Sequence, residues 1–585
     1  MARPIHILLR VVIALRQWLR SSEMAFIAVA VAVGTMAGLA TLVQGWLAHG
    51  MQSLIYGVAA NRLSALNAIL HPWKLLALPL GGLGLIALGR FAARHRHVPI
   101  DVVEANALHG GRIPALDNLL IAAQTILSNG CGASVGLEAT YAQMGGGLAS
   151  LLGQWLKLRR ADLRTLVGAG AGAAVGAAFG APLTGAFYAF EIVIGAYSTA
   201  SVAPVIAAAL AATLVLRGLH VEPYLIALTQ TRIITILDYA AYALLGGLCA
   251  VMGIAVMRLV TLAERGFQVW PLLARWKPLA GGVMLMPLAL MTPQTLSAGH
   301  GALHLDLLLQ PPLHLLLLVI VLKVAASVIS LASGFRGGLF FASLFLGSLL
   351  GQVFARLFNL NPWGLVISPM DAALVGMAGL SVSIVGGPMT LALLMLETTH
   401  DFALMGVVLT AALISATITR EVFGYSFSTW RLHVRGSDIR SPRDIGWMLT
   451  LNAGRIMRRD WTNVVNTMTI GQFRATVPLG STAKAIVTDA DGHYCGIVAT
   501  AAAHAPGSDP LAQIDTLVTL AATTLTPASS LKTVLATFDT AMADELAVVT
   551  PEGQVAGVVT ERHARRRYLE EIEAEQRKMF GETGR

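Results

Sequence analysis

The chain has 585 residues, of which 55% are hydrophobic and 12% charged, and its formal net charge is +9. That charged share is about half the share in soluble proteins, which excludes a soluble protein of ordinary composition. The basic residues flank apolar runs and form no separate domain, which argues against nucleic acid as a partner.

The first segment, "RPIHILLRVVIALRQWLR", carries Arg3, Arg10, Arg16 and Arg20 among apolar residues. It has no small-residue cleavage site after a compact apolar core. Residues 1–22 are therefore expected to form an interfacial amphipathic helix rather than a transit peptide. Charge-free runs follow at Met24 to Trp46, Val167 to Phe190, Tyr239 to Met257 and Ala372 to Leu396. A spanning helix needs about 20 such residues. Other apolar runs, as at 279–291 and 402–417, are shorter and cut by Gly or Pro. Broken helices of that kind survive at membrane depth only inside protein or beside water. The 58 glycines suit close helix packing. A further basic cluster, Arg431, Arg435, Arg440 and Arg443, follows the last apolar run. By the positive-inside tendency both termini are expected in the cytoplasm. Cys131, Cys249 and Cys495 are isolated, with no metal spacing and no disulfide framework.

"NGCGASVGLEATYAQMGGGLAS" (129–150) places one carboxylate, Glu138, among glycines and small residues. A second glycine-rich stretch, "GFRGGLFFASLFLGSLLG" (334–351), echoes it. "FGAPLTGAFYAFE" (179–191) aligns without a gap on "VGGPMTLALLMLE" (385–397), so that Gly180, Pro182, Thr184 and Glu191 match Gly386, Pro388, Thr390 and Glu397 at an offset of 388 − 182 = 206. A repeat of broken helices is a transporter signature, with the site where the breaks meet. The first N–H groups of a helix lack partners and carry positive potential, so two such helix starts facing one point would hold a small anion. A carboxylate beside that point blocks it when ionised and opens it when protonated or swung aside. Glu191 and Glu397, symmetric in the repeat, read as structural.

Beyond residue 440 the composition turns to that of a soluble α/β domain. "AKAIVTDADGHYCGIVAT" (483–500) reads as strand, Asp-Gly turn, strand, and "DELAVVTPEGQVAGVVTERHA" (544–564) repeats it about 60 residues later. Each is a β-hairpin followed by a helical segment.

Over about residues 20–440 the chain resembles the CLC family of chloride channels and proton/chloride exchangers. "VGLEATYAQMGGGL" resembles the family's G-R/K-E-G-P helix start, with Glu138 at the gating glutamate, and "SGFRGGLFFASLFLG" resembles the second-half motif G-G-I/V-F-A-P. "HVPIDVVEANALHGGRI" (97–113) resembles the segment that begins G-x-G-x-P, with Pro99 as its proline. The resemblance implies an all-α integral membrane protein with a CLC-type inverted repeat, its halves at about 70–230 and 270–430 within a transport domain of residues 23–440. It implies a homodimer with one anion path per subunit, in a bacterial inner membrane. The implied anion-binding set is Gly136, Leu137 and Ala139 from the first half, the backbone of Gly338, Leu339 and Phe340 from the second, and Ser428 near the last helix. Chloride or a similar small anion is the implied substrate, with no enzymatic activity, cofactor or metal.

The chain departs from the family at several places. Arg96 stands where an anion-coordinating Ser is common, flanked by His95 and His97. Leu137 replaces the motif Arg, and Ala139-Thr140 replaces its Gly-Pro. Ala342 or Ser343 stands in place of the second-half Pro. Ser428 aligns with the coordinating Tyr, while Tyr425 lies three residues earlier. Ile192 stands at the inner proton-transfer glutamate, beside Glu191. Arg96 and Arg336 either replace lost positive potential or sit at the cytoplasmic mouth and in structural pairs. Ile192 favours channel-like passive conduction gated by Glu138. A proton-coupled chloride antiporter and a non-transporting membrane sensor stay open as alternatives. After a linker at 441–465, residues 466–585 resemble a tandem CBS pair. Thr560 of its nucleotide-binding end is present, but both Asp positions are lost, to Ala502 and His563. A structural or dimerising role is expected at least as much as nucleotide binding.

Overall fold

The computed structural model describes residues 22–58, 63–69, 71–93, 99–221, 226, 234–269, 275–360, 366–434 and 452–579. The expected interfacial helix (Ser22 apart), Arg96 with His95 and His97, and Arg435, Arg440 and Arg443 lie outside them. The chain divides into two compact units, residues 1–443 and 444–585.

The first unit is helical. In chain order its helices are α1 (Glu23–Tyr56), α2 (Ala77–Ala93), α3 (Val102–Leu108), α4 (Ala115–Gly130), α5 (Glu138–Trp155), α6 (Arg160–Phe179), α7 (Pro182–Tyr188), α8 (Thr199–Gly218), α9 (Ile236–Val269), α10 (Lys277–Met291), α11 (His300–Leu309), α12 (Leu313–Ala332), α13 (Phe340–Phe358), α14 (Pro369–Val385), α15 (Pro388–Thr399), α16 (Phe402–Val422) and α17 (Phe427–Val434). Among the described residues, seven helical stretches are long and apolar enough to cross a membrane. Others are too short, and their ends are set locally. Ser22, Asp101, Ser368 and Asp401 cap helix starts with side-chain oxygens. Pro182 and Pro388 open α7 and α15, where a missing N–H costs nothing. A π-helical turn, Ala189–Ile194, continues α7.

The two halves are built alike down to single hydrogen bonds. Glu191 accepts from the N–H groups of Met389 and Thr390 and from the Thr390 hydroxyl, at 3.1, 2.9 and 2.7 Å. Glu397 reciprocates at Leu183, Thr184 and the Thr184 hydroxyl, at 2.9, 2.8 and 2.7 Å. Each carboxylate thus caps the N-terminus of the other half's Pro-started helix, where the helix dipole favours negative charge. Close approach is repeated as well. A Cβ on Gly145 would lie 2.2 Å from the Gly170 carbonyl oxygen, and one on Gly347 would lie 2.2 Å from that of Gly376. Only glycine lets α5 meet α6, and α13 meet α14, at that distance.

The second unit carries α18 (Ala453–Ile456), β1 (Asn463–Val465), α19 (Ile470–Thr476), β2 (Lys484–Thr488), β3 (Tyr494–Ala499), α20 (Thr500–Ala503), α21 (Leu531–Ala541), β4 (Glu545–Val549), β5 (Val555–Thr560) and α22 (Glu561–Met579). β2–β3 and β4–β5 are antiparallel hairpins, each followed by a helix, as the repeated pattern predicts. The expected linker at 441–465 is shorter than its span. Ala453 and Ile456 are buried in this unit's core, and β1 pairs in parallel with β2. Apolar positions in "NAGRI" and "NVV" give these residues something to bury. At the first hairpin turn, the backbone N–H of His493 holds the Asp489 carboxyl below its usual range.

Candidate functional site

The breaks in the two halves meet. Gly136 and Gly338 form an antiparallel bridge, N to O 2.9 Å one way and 3.2 Å the other. Its flanks are reciprocal: Ser330 Oγ accepts from the Ser134 N–H at 3.0 Å, and Ser128 Oγ accepts from the Arg336 N–H at 2.9 Å. This lattice brings the N-termini of α5 and α13 side by side. It also corrects one expectation. The N–H groups of Gly136 and Gly338 are consumed by the bridge, so those two are not available to an anion. What remains is the first turn of each helix, from Glu138 and from Phe340, where the N–H of Thr140 is already bonded to the Leu137 carbonyl at 2.9 Å.

Glu138 is the first residue of α5 and is 3% exposed. Its carboxylate accepts from the backbone N–H of Phe341, in the first turn of α13. Oε2 has no hydrogen-bond partner among the described residues. Oε1 lies 3.9 Å from Nε2 of His300. The first half's carboxylate therefore sits on the second half's helix start.

A cavity of about 1020 Å³, counted with its open mouth, is walled at this point by Glu138, Ala139, Gly338, Leu339 and Phe340. Arg336, Ile192 and Ser428 also line it. Gly136 and Leu137 do not; Leu137 is buried at 2% exposure in the core behind the helix start. Arg336 donates to Gln124 Oε1 at 3.3 Å while facing the cavity. Tyr425 lines a neighbouring cavity, which shares Ile192 and Ser428 with the first. Its ring stacks on His433, with Oη 3.2 Å from Nδ1.

The sequence reading missed Asp101, Tyr188, Arg431 and His300. Asp101 caps α3 through Glu104 N–H at 2.8 Å and also lines the cavity, as do Tyr188 and Arg431. Its signal was available, since an Asp two residues after Pro99 opens an apolar run. His300 follows "SAG" at the start of α11, a glycine-entered helix of the same kind as α5. The cavity wall holds two cationic and two acidic side chains, Arg336, Arg431, Asp101 and Glu138, together with two helix starts. Such a wall suits a small anion that passes rather than one held tightly. Among the described residues that line it there is no histidine or cysteine to hold a metal.

Residues 81–420 match the family model described as voltage gated chloride channel. The chain is 29% identical over 371 residues to the voltage-gated ClC-type chloride channel ClcB of Escherichia coli O157:H7, covering 62% of this chain and 88% of that protein. Among solved structures, a slow cyanobacterial Cl−/H+ antiporter is 25% identical with a TM-score of 0.61, covering 70% of this chain and 97% of that one. A eukaryotic CLC transporter is 18% identical with a TM-score of 0.58, covering 92% and 97%, a likeness of fold.

Proposed function

The chain belongs to the voltage gated chloride channel family, an integral membrane family of transporters and channels rather than enzymes, and from that premise we propose that it conducts chloride or a similar small anion past Glu138 by passive, channel-like flow. One observation carries the reading. A buried carboxylate stands at the meeting of two helix N-termini and lines the cavity. Ionised, it occupies the place that an anion would take. Neutral, it has no claim on the Phe341 N–H that an anion could not displace. The bound anion would rest on the first-turn N–H groups of α5 and α13, with Leu339, Phe340 and Ala139 around it and Ser428 in the same cavity wall. Ile192 supplies no inner proton acceptor, which favours passive flow. We place both termini in the cytoplasm of a bacterial inner membrane and take the assembly to be a homodimer. The C-terminal unit, with its two hairpin-helix repeats, reads as a CBS-like structural module.

A second reading, proton-coupled exchange, is favoured by Asp101, which lines the same cavity as Glu138 and Ile192. An acid there would serve as the inner proton stop that Ile192 lacks. Simultaneous recording of chloride efflux and proton uptake in proteoliposomes, with a proton ionophore control, separates the two. Efflux without coupled proton movement is expected. Proton uptake in fixed ratio to chloride would replace passive flow by exchange, and silence in both ions across several anions would remove transport.

A further inference from the structure

We propose that His300 is the positioning residue of the gate: its ring holds the ionised Glu138 carboxylate in the blocking place from the side away from the cavity. The proposal rests on the reading of Glu138 as a gate. His300 Nε2 lies 3.9 Å from Glu138 Oε1; Glu138 lines the cavity and His300 does not. A small turn of either side chain closes that gap to hydrogen-bond length, and a donor to a carboxylate makes the stronger kind of bond.

The ring is held where it is by several independent contacts. It stacks on Phe341, with centroids 3.5 Å apart and planes at 22°. Phe341 is itself 0% exposed and stacks on Phe179. The residue before His300 is Gly299, at φ +105, and a Cβ there would lie 2.8 Å from the Phe345 ring. Glycine alone takes that backbone against that ring without strain. The preceding turn is tied down by Lys323 of α12, wholly buried, whose Nζ donates to the Ser297 carbonyl at 2.7 Å. Ser64 Oγ accepts from the Ala302 N–H at 3.2 Å. A histidine so fixed against a core ring, and facing the one buried carboxylate of the helix junction, is placed to set where that carboxylate rests.

The charged and titratable groups around the pair come from several elements. His49 of α1, His304 one turn along α11 and Lys323 of α12 act electrostatically on His300. Tyr141 of α5 and Tyr188 of α7 lie within reach of Glu138. Asp306 of α11 is engaged by Gln294 at 2.9 Å, and Arg356 of α13 by the Gln310 carbonyl at 2.7 Å. Of these groups Lys323 is the cation that acts on His300, and Glu138 is the carboxylate it faces.

The test is chloride efflux from proteoliposomes of the full chain between about pH 5 and about pH 8. It compares the parent, His300→Phe, Glu138→Gln and the double variant. His300→Phe keeps a flat ring on Phe341 and removes the donor. Without that donor the ionised gate is less favoured, so the half-maximal flux of His300→Phe is expected about one pH unit higher. In the Glu138→Gln background the same substitution is expected to leave the profile unmoved. An unmoved half-maximum in His300→Phe overturns the proposal, and so does an equal change in both backgrounds, which is the mark of a merely structural role. If Glu138→Gln itself keeps the parent's full pH dependence, the gate reading fails first. Should His300→Phe not fold, His300→Leu removes the donor in a smaller side chain. It is expected to shift the profile the same way, and an unshifted profile there sinks the idea.

Discussion

The two halves of the membrane unit share a backbone and differ in what they hang on it. Ser128 and Ser330, Gly136 and Gly338, Gly145 and Gly347, Glu191 and Glu397 occupy paired positions and make paired contacts. At the helix starts the pairing stops. The first half opens its helix with Glu138, the second with Phe340, and two residues before the bridge stands Ser134 in one and Arg336 in the other. Symmetric residues build the junction, and asymmetric ones decide what passes through it. Each class therefore predicts a different kind of failure.

The largest effect is expected from the glycines. Gly145→Val and Gly347→Val each drive a branched side chain into a carbonyl that already sits 2.2 Å from a bare Cβ. Helices cannot part that far without losing their contact, so neither variant is expected to yield monodisperse protein in detergent. A well-folded variant of one and not the other would break the comparison, because it would show that the halves do not pack alike.

Next come the reciprocal caps. Glu191→Ala and Glu397→Ala each remove an acceptor of three hydrogen bonds from a helix start. Loss of hydrogen bonds to a charged group costs about 2 kcal/mol, and both carboxylates are only half-buried, so the loss is expected to be similar in each. Thermal unfolding in detergent followed by tryptophan fluorescence checks it. Unchanged pH dependence of flux in both variants would confirm that neither carboxylate gates.

A change confined to function is expected at Glu138. Glu138→Gln keeps the size of the side chain and removes its charge. Near neutral pH its chloride flux is expected to rise about tenfold over the parent, or about 1.4 kcal/mol of barrier, and to become insensitive to pH. A flux equal to the parent's would mean that the first half's carboxylate is no more than another structural acid, like Glu191.

Much of this was open to reading in the sequence. The repeat was legible because Gly, Pro and Glu have few roles in an apolar run, so four matches in register carry weight. Glu138 was legible because burying a lone carboxylate is costly and needs a reason. The fate of the Gly136 and Gly338 N–H groups was not. It depends on two short segments 202 residues apart (338 − 136) lying antiparallel, which no local pattern encodes. His300 and Asp101 escaped for the related reason that their partners, Glu138 and the cavity, come from other helices. The start of the C-terminal unit was placed late because β1 is three residues long and gains its meaning only by pairing with β2.

The smallest effect is expected at Arg336, and it is the most exacting test of the asymmetry. Its partner position, Ser134, carries no charge, so the second half alone brings a full cation to the cavity wall. Arg336 also braces Gln124, at 3.3 Å. Those two duties separate by their salt dependence. Two unit charges about 4 Å apart in water interact by about 1 kcal/mol, so Arg336→Gln, which keeps a donor toward Gln124, is expected to lower chloride flux about twofold to fivefold at low ionic strength. Screening over about 10 Å at 0.1 M salt and about 3 Å at 1 M should erase most of that difference. A deficit that persists undiminished in high salt would mean that Arg336 serves the wall as a brace. The charge asymmetry between the halves would then belong to packing, and only Glu138 would remain as the feature that sets one helix start apart from the other.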